Sequence, residues 1–349
     1  MTGPEIAAAV ARAGVELRPR IVDLNVLRLE IATNIADFAA YSAFTRFAPE
    51  GTGSDYRLTC VDLDSDPRAE AILAPLADDT FRAARFRTGF YLTSYFGPPA
   101  HLITRGREFF AAGRQLERTV WTYFVKHILT IFSADTSTLH LKAAGFADPS
   151  GSATLLFGRG GAGKTVFLAS ACQAGMSFLT NTHVILDGHR ASGIPSAIRV
   201  RDDASFGELI RAGGLAPHLE QGEFQANPTT LFAHSVDEAT VRNLCVVDYR
   251  PDRPAGIHPI DPERCYDFLE QFAFAVSAYG LKDDLLAFCG GDFDRYTEIY
   301  AAMKERLRVL VTQCLLWRVN VDMLDPTARR EVLDTLTAGA RAGAARMES

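Results

Sequence analysis

Residues 153–201, ATLLFGRGGAGKTVFLASACQAGMSFLTNTHVILDGHRASGIPSAIRVR, contain the pattern that decides the fold of this chain. The apolar run Ala153–Phe157 is typical of a buried strand. It leads into GRGGAGKT, residues 158–165, which matches the phosphate-binding loop G-x-x-x-x-G-K-[ST]. An amphipathic segment, Val166–Ala174, follows and stops at Gly175, a residue type that caps helices. Strand, glycine-rich loop and helix therefore occur in the order that nucleotide binding requires.

The residues of this loop are suited to holding a polyphosphate. Glycine tolerates the positive φ angles that turn successive backbone N–H groups inward. We expect Lys164 to reach the β- and γ-phosphates and the Thr165 hydroxyl to ligate Mg²⁺. The expected cofactors are thus ATP, or another nucleoside triphosphate, and Mg²⁺. The predicted nucleotide-binding residues are Gly158, Arg159, Gly160, Gly161, Ala162, Gly163, Lys164, Thr165 and Val166.

Composition narrows the function classes. A net charge of −6 argues against a general nucleic-acid or anionic-membrane partner, and no apolar run is long enough to span a bilayer. The first residues lack both a basic leader and a continuous apolar core, so no secretory signal is predicted. The six cysteines are scattered without a C-x-x-C pair, which favours a reducing, cytoplasmic location. The histidines show no ligand spacing, so a zinc site is not predicted either.

The chain is predicted to have three parts. Residues 1–133 form a β-containing N-terminal domain, because Tyr56–Leu63 alternates apolar with polar residues. Residues 134–250 form the nucleotide-binding core. Residues 251–349 form a helical part packed on that core, with a long helix predicted over Asp294–Met323.

Several strands are expected around the phosphate-binding loop. The segment Thr138–Ala144 is predicted to be a strand beside Ala153–Phe157, and Asp187-Gly188 is a favoured hairpin dipeptide. Residues 202–238 lack strong periodicity, which fits a substrate lid or specificity insertion and fits a surface excursion equally well. Further strands are predicted at Ser177–Thr180, His183–Leu186 and Val241–Asp248.

These elements resemble the nucleotide domain of HPr kinase/phosphorylase-like proteins, which is shared with phosphoenolpyruvate carboxykinases. The resemblance rests on four segments in order: LHLKAA at 139–144, the loop at 158–165, GMSFLTNTHVIL at 175–186 and GIPSAIRVR at 193–201. It implies an α/β (α+β) fold, with a phosphoenolpyruvate carboxykinase/HPr kinase-like P-loop nucleotide domain, a β-rich N-terminal part and a helical C-terminal part. It also implies an ATP- and Mg²⁺-dependent phosphotransferase.

The resemblance assigns roles by position. His140 would lie near the phosphates or the acceptor, and Arg199 or Arg201 would stabilise charge on the transferred phosphoryl group. From the residues alone, His140 is equally well explained as a packed histidine in a strand, and the two arginines as an exposed strand edge. The predicted catalytic residues are His140, Lys164, Asn181, Arg199 and Arg201.

The sequence departs from the family at one position of consequence. Where the family places two adjacent aspartates, a base and a Mg²⁺ ligand, this chain has Asn181 and Thr182. A general base contributes about 10²–10⁴-fold, so its loss need not abolish transfer through a loose transition state. Several residues could replace the missing base, although a hairpin turn better explains Asp187 and a loop better explains Asp148. The candidate substitutes are Asp148, Asp187, Asp202, Asp203, His140 and His183.

Three functions follow from these patterns. The first is a kinase acting on a hydroxyl group of a specialised small molecule, peptide or protein serine. The second is a nucleotide-binding protein without phosphotransfer, because Asn181-Thr182 replace the aspartate pair. The third, a motor- or GTPase-type NTPase, is less favoured because the chain has no N-K-x-D motif and Leu244–Asp248 lacks a following glutamate. The resemblance leaves self-association open, since HPr kinases assemble into rings, and the choice between ATP and GTP stays open too.

Overall fold

The structure, a computed structural model, has two compact units. The first comprises Met1–Ile131 and Tyr279–Tyr296, and the second comprises Phe132–Ala278 and Thr297–Ser349. The division into three parts stays a prediction. Asp203, one of the candidate bases, lies outside the described residues. The structure describes residues 3–49, 51–73, 100–117, 120–202, 206–207, 211, 215–217, 222–273, 285–286 and 288–347.

The first unit contains a five-stranded sheet with strand order β1-β2-β3-β5-β4. The predicted strand Tyr56–Leu63 is confirmed as β3, which lies parallel to both of its neighbours. Val10, Val61 and Phe110 pack in one of its cores. Its elements are α1 (Gly3–Arg12), β1 (Arg18–Asp23), β2 (Arg28–Thr33), a 3₁₀ turn (Ala39–Ala43), β3 (Tyr56–Asp62), α2 (Pro67–Leu73), β4 (Ala100–Arg105), β5 (Glu108–Gly113) and a π-helix (Val120–Val125) that continues into α3 (Lys126–Thr136).

The second unit contains the glycine-rich loop of residues 158–165 and a nine-stranded mixed sheet. The elements of this unit are β6 (Leu139–Lys142), β7 (Ala144–Ala147), β8 (Ser152–Phe157), α4 (Lys164–Gln173), β9 (Ser177–Thr180), β10 (His183–Asp187), β11 (Arg190–Gly193), β12 (Ile198–Arg201), β13 (Ala216–Pro217), β14 (Glu223–Ala226), α5 (Pro228–Leu231), β15 (Glu238–Val247), β16 (Gly256–Pro259), α6 (Pro262–Ala273), α7 (Phe293–Gln313), β17 (Leu315–Asn320) and α8 (Pro326–Met347).

Across the described ranges, no helix combines the length and apolar character needed to cross a membrane.

Three parallel strands form the centre of the nine-stranded sheet. β15 lies between β8 and β17, with Leu244 opposite Leu155 on one side and Leu316 on the other. Because parallel strands end at the same side of a sheet, the residues that follow Phe157, Val247 and Asn320 come together. We call this side of the sheet the carboxyl edge. The glycine-rich loop of residues 158–165 begins there.

An antiparallel ribbon brings two further segments to the carboxyl edge. The chain passes from β6 into β7 and from β9 into β10, and the Ala143 N–H donates to the Thr182 carbonyl at the junction. Lys142 pairs with His183 on one side of that junction. On the other side, Ala144 pairs with Leu156 near the end of β8. Lys142 and the turn before His183 therefore lie at the carboxyl edge.

The predicted neighbour of the strand Ala153–Phe157 needs correction. β6 pairs with β10, and it is β7, Ala144–Ala147, that pairs with β8. The apolar pattern continues through Ala143, so the sequence does not show where one pairing ends and the next begins.

The first helix after the loop forms because the sheet buries it. α4 places Phe167, Leu168 and Ala171 in one core with Leu156 and Cys245 of the central strands. The predicted helix Val166–Ala174 is confirmed, and its end at Gly175 has φ +96°. A helix packed on the sheet in this way aims its N-terminus at the carboxyl edge.

The sequence pattern predicts a helical C-terminal part, but the structure contains two strands there as well as helices. The helix expected over Asp294–Met323 ends at Gln313, and Leu315–Asn320 is strand β17. Tertiary pairing decides this, since β17 completes the sheet beside β15 and Trp317 donates its indole N–H to Asn243 Oδ1 at 3.0 Å. β16 then pairs with β17, so both strands extend the nine-stranded sheet.

Gly193 in β11 provides a test of the close approach between β11 and Leu179 of β9. A Cβ at Gly193 would overlap the Leu179 carbonyl oxygen, which belongs to the backbone and has little room to move. We expect Gly193→Ala to lower the free energy of unfolding by about 2 kcal/mol, as overpacking does. The matched control is Gly53→Ala, where a Cβ meets nothing within 4 Å. Urea unfolding followed by circular dichroism measures both, and equal stability of the two variants would contradict the packing.

Candidate nucleotide-binding site

The glycine-rich loop of residues 158–165 connects β8 to α4 at the carboxyl edge. Gly161 and Gly163 have φ angles of +81° and +82°, the left-handed region that favours glycine. A Cβ at Gly158 would lie 2.5 Å from the Val247 carbonyl oxygen, so the loop starts in close contact with the end of β15. Gly163 is the N-cap of α4 and supplies no side-chain acceptor to the first N–H groups of the helix. This arrangement leaves helix donors available to an anion.

Lys164 folds its ammonium group back over the loop. Its Nζ donates to the carbonyl oxygens of Gly158 at 2.6 Å and Arg159 at 2.9 Å. Burial, and secondarily the positive charge of Lys142, lower the pKa of Lys164 from 10.5 to about 8. Two cations thus approach each other beside the loop, which is an electrostatic cost that a bound anion would relieve.

The loop that follows β15 contributes an acidic and two basic side chains. The Asp248 carboxylate lies 3.2 Å from Arg250 Nε and 3.7 Å from Arg253 Nη1. Its backbone N–H donates to the Val319 carbonyl, so Asp248 stands at the end of the strand next to β8. A sequence signal for Asp248 existed: it ends the apolar run Leu244–Val247, although no glutamate follows.

Buried Asn320 fixes that loop in place. Its Nδ2 donates to the carbonyl oxygens of Arg250, Arg253 and Pro254 at 3.2, 3.1 and 2.8 Å. Its Oδ1 accepts from the Arg250 N–H at 2.6 Å. No local pattern marks Asn320, because its partners lie far from it in the sequence.

Asn181 and Thr182 form the turn between β9 and β10 at the carboxyl edge. Asn181 Nδ2 donates to Thr182 Oγ1 at 3.4 Å, a long contact. Within the described part of the chain, the buried Asn181 Oδ1 has no hydrogen-bond partner. An amide oxygen in this state is an open acceptor for a hydroxyl group.

The structure brings His140 and His183 together. His140 Nε2 and His183 Nδ1 lie 3.0 Å apart, and the residues are 2% and 0% exposed. One ring must donate and the other accept, so the pair keeps this bond only while one of the two nitrogens is unprotonated. A direct role of His140 at the phosphates stays a prediction.

Arg199 and Arg201 belong to the separate three-stranded sheet formed by β12, β14 and β13. Both contact one nearly buried carboxylate, with Arg199 Nε 3.0 Å and Arg201 Nε 2.9 Å from Glu223 oxygens. The structure therefore does not join them to the strands of the carboxyl edge, and their role at the phosphates stays a prediction.

Two of the candidate bases, Asp148 and Asp187, lie near the beginning of β8 and away from the carboxyl edge. Asp148 follows β7, whose last residue pairs with Ala153 at the beginning of β8, and it accepts hydrogen bonds from Ser150 and Ser152 in its own turn. Asp187 ends β10, about 13 Å from His183 at the usual strand rise. Neither can accept a proton at the carboxyl edge. Asp202 is exposed and follows β12.

The contacts of the remaining predicted residues with a nucleotide stay a prediction, and the structure gives their positions. Thr165 lies in the first turn of α4, and Val166 packs against the core. Among the residues that the structure describes, no group of three or more His, Cys, Asp or Glu side chains could hold a metal ion. Thr165 and Asp248 nevertheless offer oxygen atoms of the kind that Mg²⁺ binds together with phosphates and water.

Comparisons with known proteins add little to this geometry. No protein-family model matches the sequence, and no curated protein matches it significantly. One solved structure with partial similarity is the HPr(Ser) kinase/phosphatase from Coxiella burnetii, at 12% sequence identity. The match covers 33% of this chain and 69% of that chain, with a TM-score of 0.22. A likeness of this size supports neither a fold nor a function.

The lowered pKa of Lys164 predicts how triphosphate binding depends on pH. Below about pH 8 the ammonium is charged before and after binding, so affinity stays constant. Above it, the anion must recharge the lysine, so binding takes up a proton and affinity falls by up to about tenfold per pH unit. Calorimetric titrations from pH 7 to 9.5 in two buffers of different ionisation enthalpy measure both effects.

The variant Lys142→Met tests the cause. Removing this charge takes away the second reason for the shift, so the fall in affinity should begin at a higher pH. Proton uptake that is absent in the wild type up to pH 9.5 would contradict the assignment.

Proposed function

We propose that this protein binds a nucleoside triphosphate with Mg²⁺ at residues 158–165 and transfers its γ-phosphoryl group to a hydroxyl acceptor. The observation that carries the proposal is the position of Lys164, whose ammonium is held over the glycine loop at the N-terminus of α4. A lysine, inward-facing N–H groups and a helix N-terminus together match the charge and shape of a polyphosphate. The resemblance of residues 139–201 to HPr kinase-like proteins agrees with this use.

In this proposal, different residues of the carboxyl edge contact the phosphates, hold Mg²⁺ and stabilise the transferred group. Lys164 leaves the two carbonyl oxygens and contacts the β- and γ-phosphates, and Lys142 adds positive charge beside it. Thr165 and Asp248 would hold Mg²⁺, which when bound supplies charge neutralisation at the phosphate oxygens. Asp248 is then shared with Arg250 and Arg253, so these arginines are better placed than Arg199 and Arg201 to stabilise the transferred group.

Asn181 positions the acceptor in this proposal. Its unpartnered Oδ1 accepts a hydrogen bond from the acceptor hydroxyl and orients that oxygen toward the γ-phosphate. An amide cannot take the proton, so the hydroxyl proton passes to a phosphoryl oxygen or to water as the new O–P bond forms and the bond to the departing ADP breaks. Transfer then relies on positioning and on charge stabilisation in a loose transition state. The acceptor is a small molecule or a peptide, including a protein serine.

A second candidate function is nucleotide binding without transfer. The observation that favours it is the same turn, because Asn181 and Thr182 bring no carboxylate to the carboxyl edge. In that case the bound nucleotide serves to regulate a partner.

Lys164→Ala tests nucleotide binding. We expect the affinity for Mg²⁺·ATP to fall by at least about a hundredfold, because the variant loses the ammonium that contacts the phosphates. The matched control is Lys304→Ala, which removes a lysine paired with Glu270 on the helical side of the unit. Calorimetric titration compares the three proteins. Unchanged binding in Lys164→Ala, or equal loss in both variants, would refute the proposed site.

Asn181→Asp separates the two candidate functions. A carboxylate at this turn can accept the acceptor's proton, so release of ADP from ATP should rise by up to about 10²-fold if the site performs transfer. The control Asn227→Asp makes the same change at an exposed N-cap, where aspartate caps equally well. ADP release is measured with and without cell extract as a source of acceptor. Wild-type release that extract stimulates supports a kinase, whereas binding without release in any variant favours the regulatory function.

A further inference from the structure

Two large apolar side chains are exposed beside the phosphate-binding loop. Tyr249 is 49% exposed and follows β15, and Leu324 is 59% exposed and follows β17. The other large exposed hydrophobic residues of the described chain are Phe293 and Val309, both in α7, and Leu315, the first residue of β17. Single exposed hydrophobic residues are common, so the position and rigidity of these two must carry the argument.

Leu324 directly follows a residue that lies against the N-terminus of α4. Its backbone N–H donates to Asp322 Oδ1 at 2.9 Å, and Asp325 accepts from the first N–H groups of α8. The residue before it, Met323, touches the loop, since a Cβ at Gly163 would overlap the Met323 side chain. Leu324 is therefore held one residue away from the end of the phosphate-binding loop.

Tyr249 is fixed beside the start of the same loop. The residue before it donates to Val319, and the residue after it donates to Asn320 Oδ1. The Val247 carbonyl, two residues earlier, is the group that a Cβ at Gly158 would strike. The ring thus projects from a backbone that is bonded on both sides, so little conformational freedom is lost when a ligand covers it.

We propose that Tyr249 and Leu324 bind the base of the nucleotide. This inference rests on the proposed function, because it takes the phosphates to occupy residues 158–165. The phenol ring offers a π-face on which a purine stacks, and Leu324 supplies an apolar wall. Stacking depends on the flat face of a base and does not distinguish the hydrogen-bonding groups at its edge. ATP and GTP therefore bind with similar affinity, and both bind more tightly than inorganic tripolyphosphate, which has no base.

The test compares Mg²⁺·ATP, Mg²⁺·GTP and Mg²⁺·tripolyphosphate by calorimetric titration. We expect Tyr249→Ala to weaken both nucleotides about tenfold and to leave tripolyphosphate unchanged. Leu324→Ala should act in the same direction with a smaller effect. Tyr249→Phe keeps the ring and should retain wild-type affinity. The matched control is Leu315→Ala, which truncates an exposed leucine at the opposite end of β17.

Each outcome addresses one claim. Nucleotide and tripolyphosphate affinities that are equal in the wild type, or unaffected by Tyr249→Ala, overturn the base site while leaving the phosphate site intact. Equal weakening of nucleotides and tripolyphosphate by Tyr249→Ala also overturns it, because the tyrosine would then act on the loop. Failure of wild type to bind any of the three ligands overturns the proposed function itself. Thermal unfolding of each variant confirms that these exposed truncations leave the fold unchanged.

Discussion

The parallel pairing of β15 with β8 on one side and β17 on the other is the constraint on which this site depends. It aligns three carboxyl ends, so that the glycine loop, Asp248 and Asn320 lie at one edge although they are far apart in the sequence. The antiparallel ribbon adds Lys142, Asn181 and His183 at the same edge. Without this register, each of these residues would be an ordinary surface or strand residue.

The electrostatics of the edge are unusual for a protein that is acidic as a whole. Burial, and secondarily the charge of Lys142, lower the pKa of Lys164, and Arg250 and Arg253 stand at the end of the neighbouring strand. The carboxylate of Asp248 is shared by two guanidinium groups. Clustered cations on a rigid backbone raise the energy of the free protein, and the proposed polyphosphate would offset the repulsion between them. The buried hydrogen bonds of Asn320 keep these groups from moving apart.

Local signals in the sequence predicted the part of the site that local physics determines. The strand before Gly158, the helix after Gly163 and the Asp187-Gly188 hairpin all lie where residue patterns placed them. What the sequence could not show depends on contacts between distant residues. Leu315–Asn320 continues a helical pattern and becomes a strand only because β15 offers it a partner. The resemblance assigned Arg199 or Arg201 to the transferred phosphoryl group, and it could not show that both pair with Glu223, more than twenty residues away. Their role at the phosphates stays a prediction. Tyr249 and Leu324 belong to no sequence motif, and their proposed role depends on their position beside the loop of residues 158–165.

The most direct test of this account is a crystal structure with Mg²⁺ and a non-hydrolysable ATP analogue. We predict triphosphate density along residues 158–165, with Lys164 Nζ moved from the Gly158 and Arg159 carbonyl oxygens to phosphate oxygens. Phosphates bound elsewhere, or a Lys164 ammonium that still contacts the two carbonyl groups at full occupancy of the ligand, would contradict it.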